Sequence, residues 1–184
     1  MARDQQFYLN KYKMTQHEEG GFYSETYRSE LAIYSENVQE DRPSMTSIYF
    51  LLSAGDNSFS SFHKMKSDEI WNFHDGGDLA IYIINSKGTL TKKILGKNHN
   101  DAEPQIIVPR EHWFAAELLD SNAFSLVGCT VSPGFVYQDW ELADRSKLVA
   151  QYPNLQHTIS RLTRTSKVTD DEQYNKTETL GISI

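Results

Sequence analysis

The chain is short of several things, and each shortage excludes something. Cysteine occurs once, at Cys129, so no internal disulfide can staple the fold. Positive charge is in deficit: 18 Lys and Arg stand against 25 Asp and Glu, a formal net charge of −7. Such a chain lacks the basic footprint that nucleic-acid binding uses, and anionic membrane surfaces repel it. No apolar run approaches the ~18 residues of a membrane-spanning helix, and Met1–Gln6 carries no apolar leader core. These shortages predict a soluble, cytoplasmic protein with neither a nucleic acid nor a membrane as partner. Internal repeats and low-complexity blocks are missing too. No helix-length periodic segment interrupts the middle of the chain, which counts against an alternating βαβ sheet.

What is present fits one domain with one core. There are 184 residues, 39% hydrophobic and 12% aromatic, enough apolar surface to bury without staples and too aromatic for wholesale disorder. A short amphipathic helix is predicted over Arg3–Met14, where Phe7, Leu9, Tyr12 and Met14 stand among polar residues. Phe22–Arg28 reads as a strand, and the polar stretch from Ser35 to Pro43 as a loop. Short strand-like runs follow at Ser47–Leu52, Ser60–His63, Glu69–His74 and Leu79–Ile84. Four more lie at Leu90–Leu95, Gln105–Val108, Trp113–Leu118 and Phe124–Val131. Turn chemistry separates them, as in Asp75-Gly76-Gly77-Asp78 and Ser86-Lys87-Gly88. Short strands at near-regular spacing predict an all-β antiparallel sandwich or barrel. After Trp140 a helix is predicted over Glu141–Tyr152, ended by Pro153, with a second helical piece in Leu155–Leu162. Residues 1–165 thus form the domain, and 166–184 a polar tail.

The chemistry concentrates in Ser61-Phe62-His63-Lys64-Met65-Lys66-Ser67-Asp68-Glu69-Ile70-Trp71 and the five residues after it, to Gly76. Strand alternation puts His63 and Met65 on one face; Glu69, Trp71 and Phe73 share a face of the next strand. A hairpin turning at Lys66–Asp68 would bring the imidazole and the carboxylate together inside a barrel. Along Phe22–Arg28, Tyr23, Glu25 and Tyr27 alternate onto one face, with Phe22, Ser24, Thr26 and Arg28 on the other. Alternation alone does not say which face turns inward. Cys129, within Leu126–Val131, reads as a buried structural thiol.

These residues resemble a cupin pattern. In the first cupin motif His63, Glu69 and Gly76 fall on the expected spacing, while Met65 stands where a second histidine belongs. In the second motif Pro109 is kept, but Glu111 replaces a glycine and Phe114 a histidine. Glu19-Gly20-Gly21-Phe22-Tyr23-Ser24-Glu25-Thr26-Tyr27-Arg28-Ser29 and Val131-Ser132-Pro133-Gly134-Phe135 sharpen the match, together with Ser67-Asp68-Glu69-Ile70-Trp71. As a set, over residues 15 to 165, they are similar to the fifth cupin family, long filed as a domain of unknown function. The resemblance implies an all-β jelly-roll barrel with short flanking helices, assembled as a homodimer and related in fold to metal-free dTDP-sugar epimerases.

A cupin metal site takes three imidazoles and a carboxylate, and only His63 and Glu69 remain of those four, so no metal and no cofactor is expected. Two functions stay open on the same pocket. One is a metal-independent epimerase or isomerase that abstracts a proton next to a carbonyl of a sugar-like substrate. His63 is then the base, Glu69 its charge partner, and Tyr23 or Tyr137 the group that returns the proton. Arg28 or Lys64 would hold an anionic part of the substrate. The alternative is a non-catalytic cupin that binds a small ligand, sugar-like or anionic, as a sensor, carrier or storage-like module. Ligand contacts are expected from Tyr23, Glu25, Arg28, Met65, Trp71, Gln105, Phe114 and Tyr137. The aromatic ones are barrel core in their ordinary role, and Gln105 an ordinary strand residue.

Overall fold

Residues 4–121 and 123–164 are described by the computed structural model, so the tail expected over 166–184 lies outside them. Helix α1 (Gln5–Lys11) starts where the Asp4 side chain accepts the Phe7 N–H at 2.8 Å. Then come β1 (Thr15–Gln16), β2 (Phe22–Arg28), β3 (Ala32–Ser35), β4 (Glu40–Pro43) and β5 (Thr46–Ser53). The middle of the chain supplies β6 (Phe59–Met65), β7 (Asp68–Gly76), β8 (Leu79–Ile84) and β9 (Leu90–Leu95). Next are β10 (Ala102–Glu103), β11 (Gln105–Val108), β12 (Trp113–Leu118), β13 (Phe124–Ser132) and β14 (Trp140–Leu142). Helices α2 (Arg145–Gln151) and α3 (Gln156–Arg161) close the described part. None of these helices is long and apolar enough to cross a membrane.

Two six-stranded sheets stack face to face, in the orders β1-β2-β5-β13-β7-β11 and β10-β9-β8-β12-β6-β14. This is the jelly-roll arrangement that the strand pattern and the resemblance imply. Strand β8 displays the layering most plainly. Leu79, Ile81 and Ile83 point into the core between the sheets, and Ala80, Tyr82 and Ile84 into a second core outside. Helices α2 and α3 cover that outer core with Leu148 and Ile159, joined by Leu162 just past α3, so every residue of β8 is buried. Each large aliphatic side chain so buried contributes roughly 1.5–3 kcal/mol. On the far side, Tyr8 of α1 seals Leu51 and Leu126 of the first sheet.

Three expectations need correction. The stretch 35–43 contributes to a two-stranded hairpin, β3 with β4, and is not a loop. Its faces are largely solvated and need no apolar alternation. Its anchor is Arg42, whose Nε and Nη2 donate to both Asp139 carboxylate oxygens at 2.6 and 3.0 Å. The helix expected from Glu141 begins at Arg145, because Trp140–Leu142 extend beside β6 and Asp144 caps the helix by accepting from the Lys147 N–H. Lastly, β6 and β7 do not form a hairpin. The chain crosses at Lys66–Ser67 from one sheet to the other, β6 pairing with β12 and β14, and β7 with β13 and β11.

Candidate functional site

A cavity of about 400 Å³ opens between the sheets at the end where this crossing occurs. Alternation aims its walls: Thr46, Ile48 and Phe50 from β5, His63 and Met65 from β6, Glu69 and Trp71 from β7, Cys129 and Val131 from β13. Strand β2 adds Tyr23 and Glu25, and also Arg28. Arg28 belongs to the opposite alternation set, but a bulge at Thr26 shifts the register, pairing Glu25 with Ile48 and Arg28 with Thr46. One extra residue reverses the facing of all that follows. Arg28 therefore joins Tyr23 and Glu25 at the mouth, and Tyr27 turns to solvent.

The polar floor is built around Glu19. Its Oε2 lies 3.4 Å from His63 Nε2 and 3.4 Å from His17 Nδ1, and its Oε1 accepts the Ser60 hydroxyl at 2.8 Å. His63 Nδ1 is 2.8 Å from the Ser61 carbonyl, which can only accept, so that nitrogen carries the proton and Nε2 faces Glu19 with its lone pair. The Glu19 N–H donates to His17 Nδ1 at 3.3 Å, which leaves the His17 proton on Nε2. Gly20 and Gly21 follow with positive φ, +107° and +74°. A Cβ on Gly20 would run into the Arg164 guanidinium and the Phe59 carbonyl, so only glycine lets the Glu19 segment lie this close. Arg164 clamps it from behind, donating to the Glu19 carbonyl, to Ser61 Oγ at 2.8 Å and to the Asp56 carbonyl at 2.7 Å.

Burial dominates the protonation states. It lowers His63 to about 4 against the pull of its Ser61 hydrogen bond, and lowers His17 as well. Burial raises Glu19, partly offset by the neighbouring His17. Glu69 is pushed up to about 8 by burial and then by the charge of Glu19, against contacts from Cys129 and Trp71. At neutral pH it is a carboxylic acid able to donate. The Cys129 thiol is raised by burial and held protonated. Tyr137 is held up at about 12 by its hydrogen bond with Tyr23 and by burial, so it stays a phenol. The indole N–H groups of Trp71 and Trp140 lean toward Glu69 and Glu19, but neither completes a hydrogen bond.

Of the residues expected to meet a ligand, Tyr23, Glu25, Arg28, Met65, Trp71 and Tyr137 line the cavity, as do His63 and Glu69. Gln105 does not. It sits exposed on the edge strand β11, bonded to Asn72. Phe114 is also outside, fully buried behind His63 with ring centroids 4.0 Å apart. Lys64 points to the outer face, against the Trp113 ring and Glu141, as its place between His63 and Met65 requires. Glu69 shares the cavity with His63, yet the carboxylate within ion-pair distance of that imidazole is Glu19. His17, Glu19 and Trp140 escaped sequence reasoning. The Gly20-Gly21 pair directly after two acids was the available signal, since adjacent glycines mark a close backbone approach. Trp140 gave none, because only its pairing with Met65 turns it toward the cavity.

A divalent metal does not fit this residue set. Phe114 packs its ring on His63 where an imidazole would have to stand, and Met65 offers only a thioether. Among the described residues no three His, Cys, Asp or Glu side chains converge tightly enough to hold an ion.

Comparison with known proteins follows the same lines. The family model described as Cupin superfamily (DUF985) matches residues 6–143. Protein SO0799 of Shewanella oneidensis has a similar structure, with TM-score 0.81 and 38% identity over 90% of this chain and 100% of that one. A hypothetical protein from Leishmania major gives TM-score 0.81 at 27% identity, over 89% of this chain and all of its own. Oxalate decarboxylase of Bacillus subtilis matches at TM-score 0.51 and 16% identity, over 83% of this chain and 37% of that one, a likeness of fold alone. No curated protein matches the chain.

Proposed function

Because the chain belongs to the Cupin superfamily (DUF985), we propose that its cavity binds a small carbonyl compound and moves a proton next to the carbonyl, as in epimerisation or isomerisation. One observation carries this reading: a carboxyl group held between two imidazoles, 3.4 Å from each, at the floor of a cavity with apolar walls. The substrate's C–H proton passes to Glu19 Oε2, whose O–H then faces the free lone pair of His63 Nε2. The C–H electron pair becomes the carbon–carbon double bond of an enolate, and the carbonyl π pair moves onto oxygen. Glu69, kept protonated by burial, donates to that oxygen. Reprotonation of the same carbon by the Tyr23–Tyr137 pair gives the epimer. For the isomer, the α-hydroxyl proton first moves to the enolate oxygen; protonation of the former carbonyl carbon then leaves the α-oxygen as the new carbonyl. The Glu19 proton returns to the phenolate through solvent. In this scheme Glu19 replaces Glu69 as the partner of His63, and His63 acts through Glu19.

A non-catalytic binding module is favoured by a different observation: His63 is buried, its Nδ1 bonded to the Ser61 carbonyl and its Nε2 turned to Glu19 at 3.4 Å, so the imidazole does not itself face a substrate. Solvent deuterium uptake decides between them. Wild type, Glu19→Gln and His63→Ala are incubated in D₂O with keto-sugars and other carbonyl metabolites and read by mass spectrometry. Uptake by wild type, lost in Glu19→Gln, supports proton transfer. Uptake that survives both substitutions rejects this base, and binding without uptake hands the site to the binding module.

A further inference from the structure

The cavity's charges describe what it takes. Among the described residues that line it, Arg28 is the one permanent cation, and it is already committed. Its Nε and Nη2 donate to the two Glu25 carboxylate oxygens at 3.0 and 2.6 Å, and its Nη1 to the Phe135 carbonyl at 3.0 Å. Arg164 sits behind Glu19, its guanidinium spent on backbone carbonyls and Ser61, and is not part of the lining. Lys64 faces outward. An anion entering here would pass Glu25 at the mouth and meet Glu19 inside, with no free positive charge to replace its water.

Trp71 Nε1 and Trp140 Nε1 are buried against Glu69 and Glu19 with almost no accessible surface, so they face those carboxyls and not the cavity. Phenolic hydroxyls line it instead, those of Tyr23 and Tyr137. The remaining walls are apolar: Ile48, Phe50, Met65, Val131 and Phe135.

Resting on the proton-transfer reading above, we infer that the ligand is an uncharged, oxygen-rich carbonyl compound, of the class of free ketoses and sugar lactones, whose oxygens meet the Tyr23 and Tyr137 hydroxyls. Phosphorylated sugars and nucleotide-linked sugars are excluded by the same charges, which sets this cavity apart from a diphospho-sugar site. Protonated Glu69 and neutral His63 leave the interior matched to such a ligand at neutral pH.

The test is isothermal titration of the full chain at pH 7. Probes are D-ribulose, D-fructose and D-glucono-1,5-lactone against ribulose 5-phosphate, fructose 6-phosphate and dTDP-glucose. At least one uncharged probe should bind, with its phosphorylated counterpart at least tenfold weaker or silent. Tyr137→Phe should weaken that binding roughly three- to tenfold, the loss expected of one neutral hydrogen bond. Circular dichroism checks that the variant folds. Equal or tighter binding of a phosphorylated or nucleotide-linked probe overturns the inference, as does silence of every uncharged probe or an unchanged affinity in Tyr137→Phe. Deuterium uptake in the same samples keeps the two readings apart. An uncharged ligand that binds without exchange refutes proton transfer and leaves this inference standing; exchange in a phosphorylated probe does the reverse.

Discussion

Replacing Glu69 by glutamine should make the protein more stable in base and leave it nearly unchanged in acid. Glu69 is buried, and its carboxyl is raised from 4.5 to about 8, burial being the larger cause and the Glu19 charge the smaller. A group raised in the folded state contributes stability that is complete below the unfolded pKa and is lost as pH rises through the folded one. Here the loss begins near pH 4.5 and ends near pH 8. At about 1.4 kcal/mol per pH unit, wild type gives up about 5 kcal/mol across that window, a large share of an ordinary domain's stability. Glutamine keeps the shape and one acceptor but has no proton to lose. Urea unfolding at pH 5, 6, 7, 8 and 9 measures the difference. The two proteins should agree within ~1 kcal/mol at pH 5 and diverge steadily above it, Glu69→Gln being the more stable by several kcal/mol at pH 9. The histidines contribute slopes common to both proteins, and Glu19, whose charge helps to raise Glu69, adds only the smaller part of the difference. Parallel stability curves would refute the claim that Glu69 is held neutral in the fold.

Three further outcomes follow from the geometry. His63 is lowered from 6.5 to about 4, so its contribution runs the other way: wild type should lose about 3 kcal/mol as pH falls from 6.5 to 4, and His63→Gln should flatten that acid limb in the same unfolding series. Arg42→Met should cost roughly 2–4 kcal/mol in urea unfolding, because it strands Asp139 buried without its bidentate partner, while the Glu40 end of the pair is already in water. An unchanged midpoint would show that the hairpin anchor contributes nothing. The edge of β2 beyond Tyr23 has no strand beside it among the described residues, and Tyr27, Leu31 and Tyr34 are exposed nearby in sequence. A homodimer closing over this edge is expected at micromolar concentration, and light scattering that finds a monomer refutes it.

Much of the fold is written locally. Phe22–Arg28, Leu79–Ile84, Leu90–Leu95, Gln105–Val108 and Trp113–Leu118 begin and end where alternation and turn residues place them, because a strand's two faces are a property of its own side chains. For the same reason His63 and Met65, or Glu69 and Trp71, were legible as pairs sharing a face. Stop signals were weaker where polar residues dominate, so the β3–β4 hairpin passed for a loop until Arg42 met Asp139, 97 positions away.

What only the tertiary structure decided is which faces meet. His63 lies six positions from Glu69 but takes its carboxylate from Glu19, 44 positions earlier, because the chain changes sheets between β6 and β7. Arg28 reaches the cavity through one bulged residue, and Trp140 through a three-residue strand laid against Met65. Pairing, register and bulges are set by contacts between segments far apart in the chain. Local side-chain periodicity determines that a strand has an inside and an outside, and the packing of the other strands determines what that inside touches.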